Sequence, residues 1–235
     1  NTITNTTANK LTVMVWIKET RIQTSSAHEL EGAWANIVTL ASHKAVNTGQ
    51  FWLQHSNTNS KFEFALNSSS RQYILSTTVP EINRWYFITA VYDGSANPSM
   101  KLYVNGNLEN SSNSNSGNIT AFINEFKLNI GRIPASYRFF SGYLDDIRIY
   151  WNKALTQDEI RAQMHSVNTI ITDNLVSYYK FNSTSGTTVI DEMNNANGTY
   201  YAGLVDVHGN VTGGNNGYNR TTYEIADADK VWAVN

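Results

Sequence analysis

The sequence predicts an all-β fold, a two-sheet antiparallel sandwich with one short helix, on three observations. Apolar and polar residues alternate with period two along most of the chain, the pattern of strands with one buried face. Turn signals recur at roughly ten-residue spacing. A single stretch reads as helix. The chain has 235 residues, enough for one large core, and all-β domains of this size are often single units.

Strands are expected from alternation at Leu11–Lys18 (LTVMVWIK), Asn36–Ala41, Gln50–His55, Lys61–Leu66 and Tyr73–Thr77. The series continues with Trp85–Tyr92 (WYFITAVY), Met100–Val104, Phe126–Ile130 and Tyr143–Tyr150. Leu175–Phe181 (LVSYYKF), a short Thr188–Ile190, Gly198–Ala202 and Tyr223–Ile225 complete it. Asn105-Gly106 lies between apolar runs and reads as a type I′ hairpin turn, and Asp93-Gly94 is a second turn signal. The helix is expected to start at Thr156, with Glu159 three residues on, a capping box that opens LTQDEIRAQM. Five of the six tryptophans, Trp16, Trp34, Trp52, Trp85 and Trp151, lie in or beside strands of the first part and read as core or sheet-face packing.

Composition narrows the function. Seventeen Lys+Arg against 19 Asp+Glu give a net charge of −2, with basic residues scattered, so nucleic acid has no electrostatic footprint to bind. No apolar run approaches the ~18 residues of a membrane span, and no signal peptide is present. The absence of cysteine excludes a disulfide scaffold, a thiolate metal site and a cysteine nucleophile. Asparagine occurs 30 times, and eight Asn-x-Ser/Thr triplets begin at Asn5, Asn67, Asn110, Asn118, Asn182, Asn197, Asn210 and Asn219. These candidate glycosylation sites, with low charge and no cysteine, point to a secreted, extracellular or cell-surface protein; the other reading is an Asn-rich cytosolic one.

The runs LTVMVWIKE, NRWYFITAVYDG, MKLYVNG, LNIGR and SGYLDDIRIYWNKALTQDEI, in that order, resemble the laminin-G-like, concanavalin A-like jelly-roll family. The C-terminal part resembles the same family out of place. LVSYYKFNSTSGTTVIDEMNNANGTYYAG looks like the opening of such a domain, and GGNNGYNRTTYEIADADKVWAVN like its continuation. Joining Asn235 to Asn1 restores the family order. Residues 1–165 are therefore read as the main part of a sandwich, 166–174 as a connector and 175–235 as a segment completing a sandwich, its own or a neighbouring subunit's.

Three arrangements fit this permuted order: a self-closing circular permutant, a repeat excised from a tandem array, or strand donation to the next subunit. Repeated head to tail, donation gives a fibre. The function expected first is a non-catalytic extracellular structural subunit that polymerises with copies of itself into a surface filament, exchanging Leu175, Tyr178, Tyr179 and Phe181 between subunits. The alternative is a carbohydrate-binding, lectin-like adhesion module with glycans as partners, which the resemblance implies.

Catalysis is not expected. Glycosidases on this fold set two acids about 5–10 Å apart across a cleft, and the chain has no Glu-x-Asp-x-x-Glu pattern. The Glu29/Glu31 pair lies in a polar stretch, and alternation predicts that Asp145 and Asp146 face opposite sides of their strand. His28, His43, His55, His165 and His208 show no ligand spacing. Calcium is the one cofactor to consider, as a structural ion: it takes hard oxygens, and the loop from Asp191 to Gly198 is rich in them. The resemblance nominates Asp191, Asn194, Asn197 and Asp145; the other reading is an Asn-rich turn bonded to backbone. For sugar, Tyr137 and Arg138 in the loop after LNIGR are the nominated pair, with Gln50–Asn59 (Phe51, Trp52, His55, Asn57) as a further aromatic stretch.

Overall fold

Period-two patterning becomes two facing sheets in the computed structural model, which describes residues 7–20, 34–42, 49–56, 58–67, 71–114, 116–120, 126–131, 140–165, 169–182 and 188–199. The first strands are β1 (Thr7–Ala8), β2 (Lys10–Glu19), β3 (Trp34–Ser42), β4 (Gly49–Ser56), β5 (Lys61–Asn67), β6 (Arg71–Leu75) and β7 (Trp85–Asp93). Next come β8 (Met100–Val104), β9 (Asn107–Ser112), β10 (Ile119–Thr120), β11 (Phe126–Ile130) and β12 (Gly142–Trp151). After helix α1 (Gln157–His165) follow β13 (Leu175–Tyr179), β14 (Thr188–Val189) and β15 (Gly198–Thr199). One sheet runs β13-β12-β2-β7-β8-β9 and the other β11-β3-β4-β5-β6, with two-stranded ribbons β1-β10 and β14-β15 beside them.

The inner faces meet in one core. Leu11, Val13, Val15 and Ile17 of β2 face Phe51, Leu53, Phe62, Phe64 and Leu66 of β4 and β5. Burying these side chains is the main stabilising term. On the outer face of the six-stranded sheet, Met14, Trp16, Phe87, Tyr103, Tyr150 and Tyr178 form a second cluster with Leu155 and Ile160, the latter from α1.

Local chemistry sets the connections. Asn105 and Gly106 both have positive φ (50° and 72°), as a type I′ turn requires, and join β8 to β9. Thr156 and Glu159 form the expected capping box: the Thr156 amide donates to the Glu159 carboxylate (2.7 Å) and the Glu159 amide to the Thr156 hydroxyl (3.3 Å). Gln157 and Arg161 then tie α1 to the Gly106 carbonyl at 2.9 and 3.1 Å.

Three expectations change. β6 lies two residues earlier than the expected Tyr73–Thr77, because the Glu109 carboxylate takes the amides of Thr77 (2.8 Å) and Thr78 (2.9 Å) and the Thr78 hydroxyl, drawing the chain off the sheet. The register of β12 on β2 slips between Asp145 and Arg148, where Asp146 has φ 50°. A β-bulge sets two residues against one, so Asp145, opposite Trp16, and Asp146, bonded to Tyr178, both lie on the outer face rather than on opposite faces. Finally, Leu175–Tyr179 pairs with β12 of its own chain, Tyr179 opposite Ile147 and Tyr178 opposite Arg148. Leu175, Tyr178, Tyr179 and Phe181 are buried on this chain's own sandwich, so their exchange with a neighbouring subunit finds no support here. The expected strand Tyr223–Ile225 and the remainder of the C-terminal segment lie outside the described residues.

Candidate functional site

The outer face of the five-stranded sheet carries a polar and aromatic cluster assembled from four neighbouring strands. Register sets Trp52 opposite Ala65 and Ala65 opposite Tyr73, Gln54 opposite Glu63, and Asn67 opposite Arg71. Alternation then directs Trp52, Gln54, Glu63, Arg71 and Tyr73 away from the core that Phe51, Leu53, Phe62 and Phe64 fill. Trp34, at the start of β3, completes the group.

Glu63 is the hub. Its Oε2 accepts from Trp34 Nε1 (3.2 Å), while Oε1 accepts from Gln54 Nε2 (2.7 Å) and Arg71 Nη2 (3.0 Å). The Arg71 guanidinium stacks between two rings, 5.5 Å from the Trp52 centroid and 5.8 Å from that of Tyr73. Trp52, Gln54 and Glu63 are buried and form the floor, whereas Tyr73 is 52% exposed and the Arg71 side chain 35%. Arg71 Nε and Nη1 have no hydrogen-bond partner among the described residues, and neither do the buried Gln54 Oε1 and Thr39 Oγ1. The arrangement offers an exposed ring, an oriented guanidinium and a matching carboxylate, with little net charge because Glu63 offsets Arg71.

The sequence-nominated residues are distributed differently. Tyr137, Arg138 and Asn57 lie outside the described residues. Phe51 is core, Trp52 is part of the cluster just described, and His55 is buried in an inter-sheet pair with Glu19 (Nδ1 to Oε1, 2.7 Å), which spacing could not have shown. Among the calcium candidates, Asp191 and Asn197 come together: the Asp191 amide donates to Asn197 Oδ1 (3.0 Å). The Asp191 carboxylate, however, accepts from the amides of Tyr178 (2.8 Å), Met193 (3.1 Å) and Ala196 (3.1 Å). Asp145 accepts from the Asp146 amide at 2.8 Å within the bulge. The oxygens of Asp191 and Asn197 thus hold the backbone of a turn and that of Asp145 the bulge of β12, so these three would have to share or give up those bonds to take up a calcium ion. No group of three or more His, Asp or Glu side chains among the described residues could hold a metal. Asn110, Asn118, Asn182 and Asn197 of the sequons are exposed and Asn67 half-buried, with Asn5, Asn210 and Asn219 outside the described residues.

The acidic motif of β12 has a structural task. Arg148 is buried; its Nη1 donates to the Gln163 carbonyl of α1 (3.0 Å), Nη2 lies 3.5 Å from Asp146, and its guanidinium stands 4.9 Å from the Tyr178 ring centroid. The Tyr178 hydroxyl donates to Asp146 at 2.7 Å. Burial above all, with the Asp146 charge beside it, raises the Tyr178 phenol well above its ordinary range.

Six strands against five, antiparallel, with a helix on the outer face of the larger sheet, define the jelly-roll sandwich class. The chain belongs to the concanavalin A-like lectin/glucanases superfamily, whose family model matches residues 1–161. Comparison with curated proteins finds no match. Among solved structures, a Bacteroides ovatus ATCC 8483 protein assigned as carbohydrate-binding superposes with TM-score 0.62 at 19% identity, over 85% of this chain and 54% of its own. The chain thus spans about half of that protein's length. The heptameric SAP-like pentraxin of Limulus polyphemus gives TM-score 0.56 at 19% identity, covering 84% of this chain and 83% of its own. The Ruminococcus gnavus IT-sialidase CBM40 bound to α2,3-sialyllactose gives 0.50 at 14%, covering 66% and 82%. At these identities the likeness is one of fold. No helix among the described residues is long and apolar enough to cross a membrane.

Proposed function

We propose that this chain is a non-catalytic, extracellular glycan-binding domain whose site is the Tyr73–Arg71 rim above Trp52, Glu63, Gln54 and Trp34. The observation that carries the reading is the Arg71 guanidinium held between the Trp52 and Tyr73 rings with Nε and Nη1 uncommitted. A pyranose offers an apolar C–H face and a rim of hydroxyls. The exposed Tyr73 ring matches the first, and the Arg71 fork matches the second. Because Glu63 offsets the guanidinium, the site suits uncharged sugars. The carbohydrate-binding neighbours support this reading over a filament subunit, since β13 closes the chain's own sheet. Among the described residues Glu63 is the one carboxylate on this face, and none of them sets a second acid across a cleft from it, the pairing a glycosidase uses.

The test is a glycan array probed with the full chain, followed by titration of the best neutral hit against Tyr73→Ala and Arg71→Ala. Each substitution is expected to weaken binding at least tenfold while leaving the particle near 26 kDa by light scattering. Unchanged affinity in both variants would sink the site. Long regular particles in negative stain would instead restore the exchange of C-terminal strands.

A further inference from the structure

A second polar-aromatic constellation lies on the opposite side of the molecule, where α1 does not reach. The outward row of β2 runs Thr12, Met14, Trp16, Lys18. Its first members are covered: Thr12 bonds the Lys153 carbonyl (2.9 Å) and the Leu155 amide (3.0 Å), and Met14 and Trp16 are buried with Ile160 and Phe87. Lys18 ends the row, flanked in register by Trp85 of β7 and Tyr143 of β12. All three side chains are half-buried.

Trp85 and Tyr143 stand on strands separated by β2, about 10 Å apart at the backbone. Their ring centroids nevertheless lie 6.4 Å apart, so the rings lean over β2 toward each other. The Lys18 ammonium sits in the frame they make, 4.6 Å from the Tyr143 centroid and 5.2 Å from that of Trp85. Among the described residues Lys18 makes no hydrogen bond or ion pair. Lys10, Lys153 and Lys180, by contrast, each meet a carboxylate within 3.3 Å. Ring faces attract the cation but accept none of its three N–H donors as a carboxylate does. A partly desolvated, oriented ammonium between two rings therefore lacks one complement, an anionic oxygen with an apolar face beside it.

We infer that Lys18, Trp85 and Tyr143 form a second ligand site, distinct from the Tyr73 rim and on the other sheet, that takes an acidic saccharide. The carboxylate of a uronic acid or kindred sugar meets the Lys18 ammonium, and its C–H face lies against the rings. The two sites divide by charge: the Glu63-offset guanidinium takes neutral sugar and the unpaired ammonium takes acidic sugar.

Full-length protein titrated with methyl β-D-glucuronide, methyl β-D-glucoside and sodium acetate, followed by saturation-transfer NMR, separates these ideas. Lys18→Met keeps the aliphatic stem and Lys18→Gln keeps a polar end; thermal melts confirm that both fold. Glucuronide binding is expected to weaken at least tenfold in both variants, to fall as salt is raised, and to survive Tyr73→Ala. Glucuronide affinity unchanged by either Lys18 substitution overturns the site. Acetate competing as well as glucuronide, mole for mole, overturns the saccharide assignment, because the rings would then contribute nothing. Loss of glucuronide binding in Tyr73→Ala places both probes at one rim and overturns the second site. If glucoside fails to bind while glucuronide binds in a Lys18-dependent way, the neutral-sugar reading fails and this inference stands.

Discussion

Glu63→Gln tests whether one carboxylate organises the candidate glycan site. The carboxylate receives three donors, Trp34 Nε1 on Oε2 and both Gln54 Nε2 and Arg71 Nη2 on Oε1. A glutamine of nearly the same shape keeps one acceptor oxygen. With that oxygen facing Gln54 and Arg71, its NH2 group faces the Trp34 N–H, donor against donor. One bond to a charged acceptor is then lost, about 1.5–3 kcal/mol, and two others fall from charged to neutral strength. The Arg71 pair adds less than about 1 kcal/mol because that side chain is 35% exposed and screened. The expected loss is about 2–4 kcal/mol. With an m value near 3 kcal/mol/M, the urea midpoint falls by about 1 M. Affinity for the neutral glycan should drop roughly tenfold, since Arg71 and Trp34 lose their common anchor (1.4 kcal/mol per decade). A stability change under about 0.5 kcal/mol with unaltered glycan affinity would refute the hub role. Lost affinity at full stability would mean that Glu63 touches the ligand itself.

Arg148→Met should cost about 3–5 kcal/mol in urea unfolding, as a buried charge bonded to Gln163 and Asp146 is removed and leaves Asp146 without it; less than 1 kcal/mol would show that the motif is not the clamp on α1. Alkaline titration at 295 nm should show late tyrosines, because burial pushes Tyr179 and Tyr150 up to about 12. With folded values above the ordinary 10, their contribution is whole below pH 10 and is lost as pH rises toward 12, so a melting temperature that holds steady through pH 11.5 would contradict their burial. Millimolar calcium should leave the melting temperature within about 1 °C, since Asp191 already accepts three backbone amides; a rise of several degrees would restore Asp191, Asn194, Asn197 and Asp145 as ligands.

The strands were legible because one face of each is buried, and period two survives in the residue order. β9 (NLENSS) was not: an edge strand with polar residues on both faces has no apolar signal, and only the Asn105-Gly106 turn hinted at a partner for β8. The candidate glycan site was legible only in part. Trp52 stood in a named aromatic stretch and Tyr73 at the start of an expected strand, but Glu63 and Arg71 became neighbours of both through the pairing of β4, β5 and β6. Register is a property of two strands together and is written in neither alone. Lys18 shows the same limit, since its rings come from residues 67 and 125 positions further along the chain, a separation fixed by the order of the sheet. The common face of Asp145 and Asp146 does leave a trace in the sequence. Leu144 and Ile147 both face the core, three residues apart rather than two, and that missed beat was already in the string LDDIRI.

The bulge at Asp146 gives β12 a reading frame of its own. Core-facing residues sit at even numbers before it (Leu144) and at odd numbers after it (Ile147, Ile149, Trp151), so a single extra residue switches the parity of the strand. Deleting Asp146 would restore perfect alternation and leave every face as it stands, with Leu144 in, Asp145 out, Ile147 in and Arg148 out. Ironing out the bulge with Asp146 kept in the alternation is what would turn Ile147 and Ile149 toward the helix and point the Arg148 guanidinium between the sheets. In this strand the bulge acts as a compensating frameshift does in a gene, absorbing one extra letter so that every later one is read in frame.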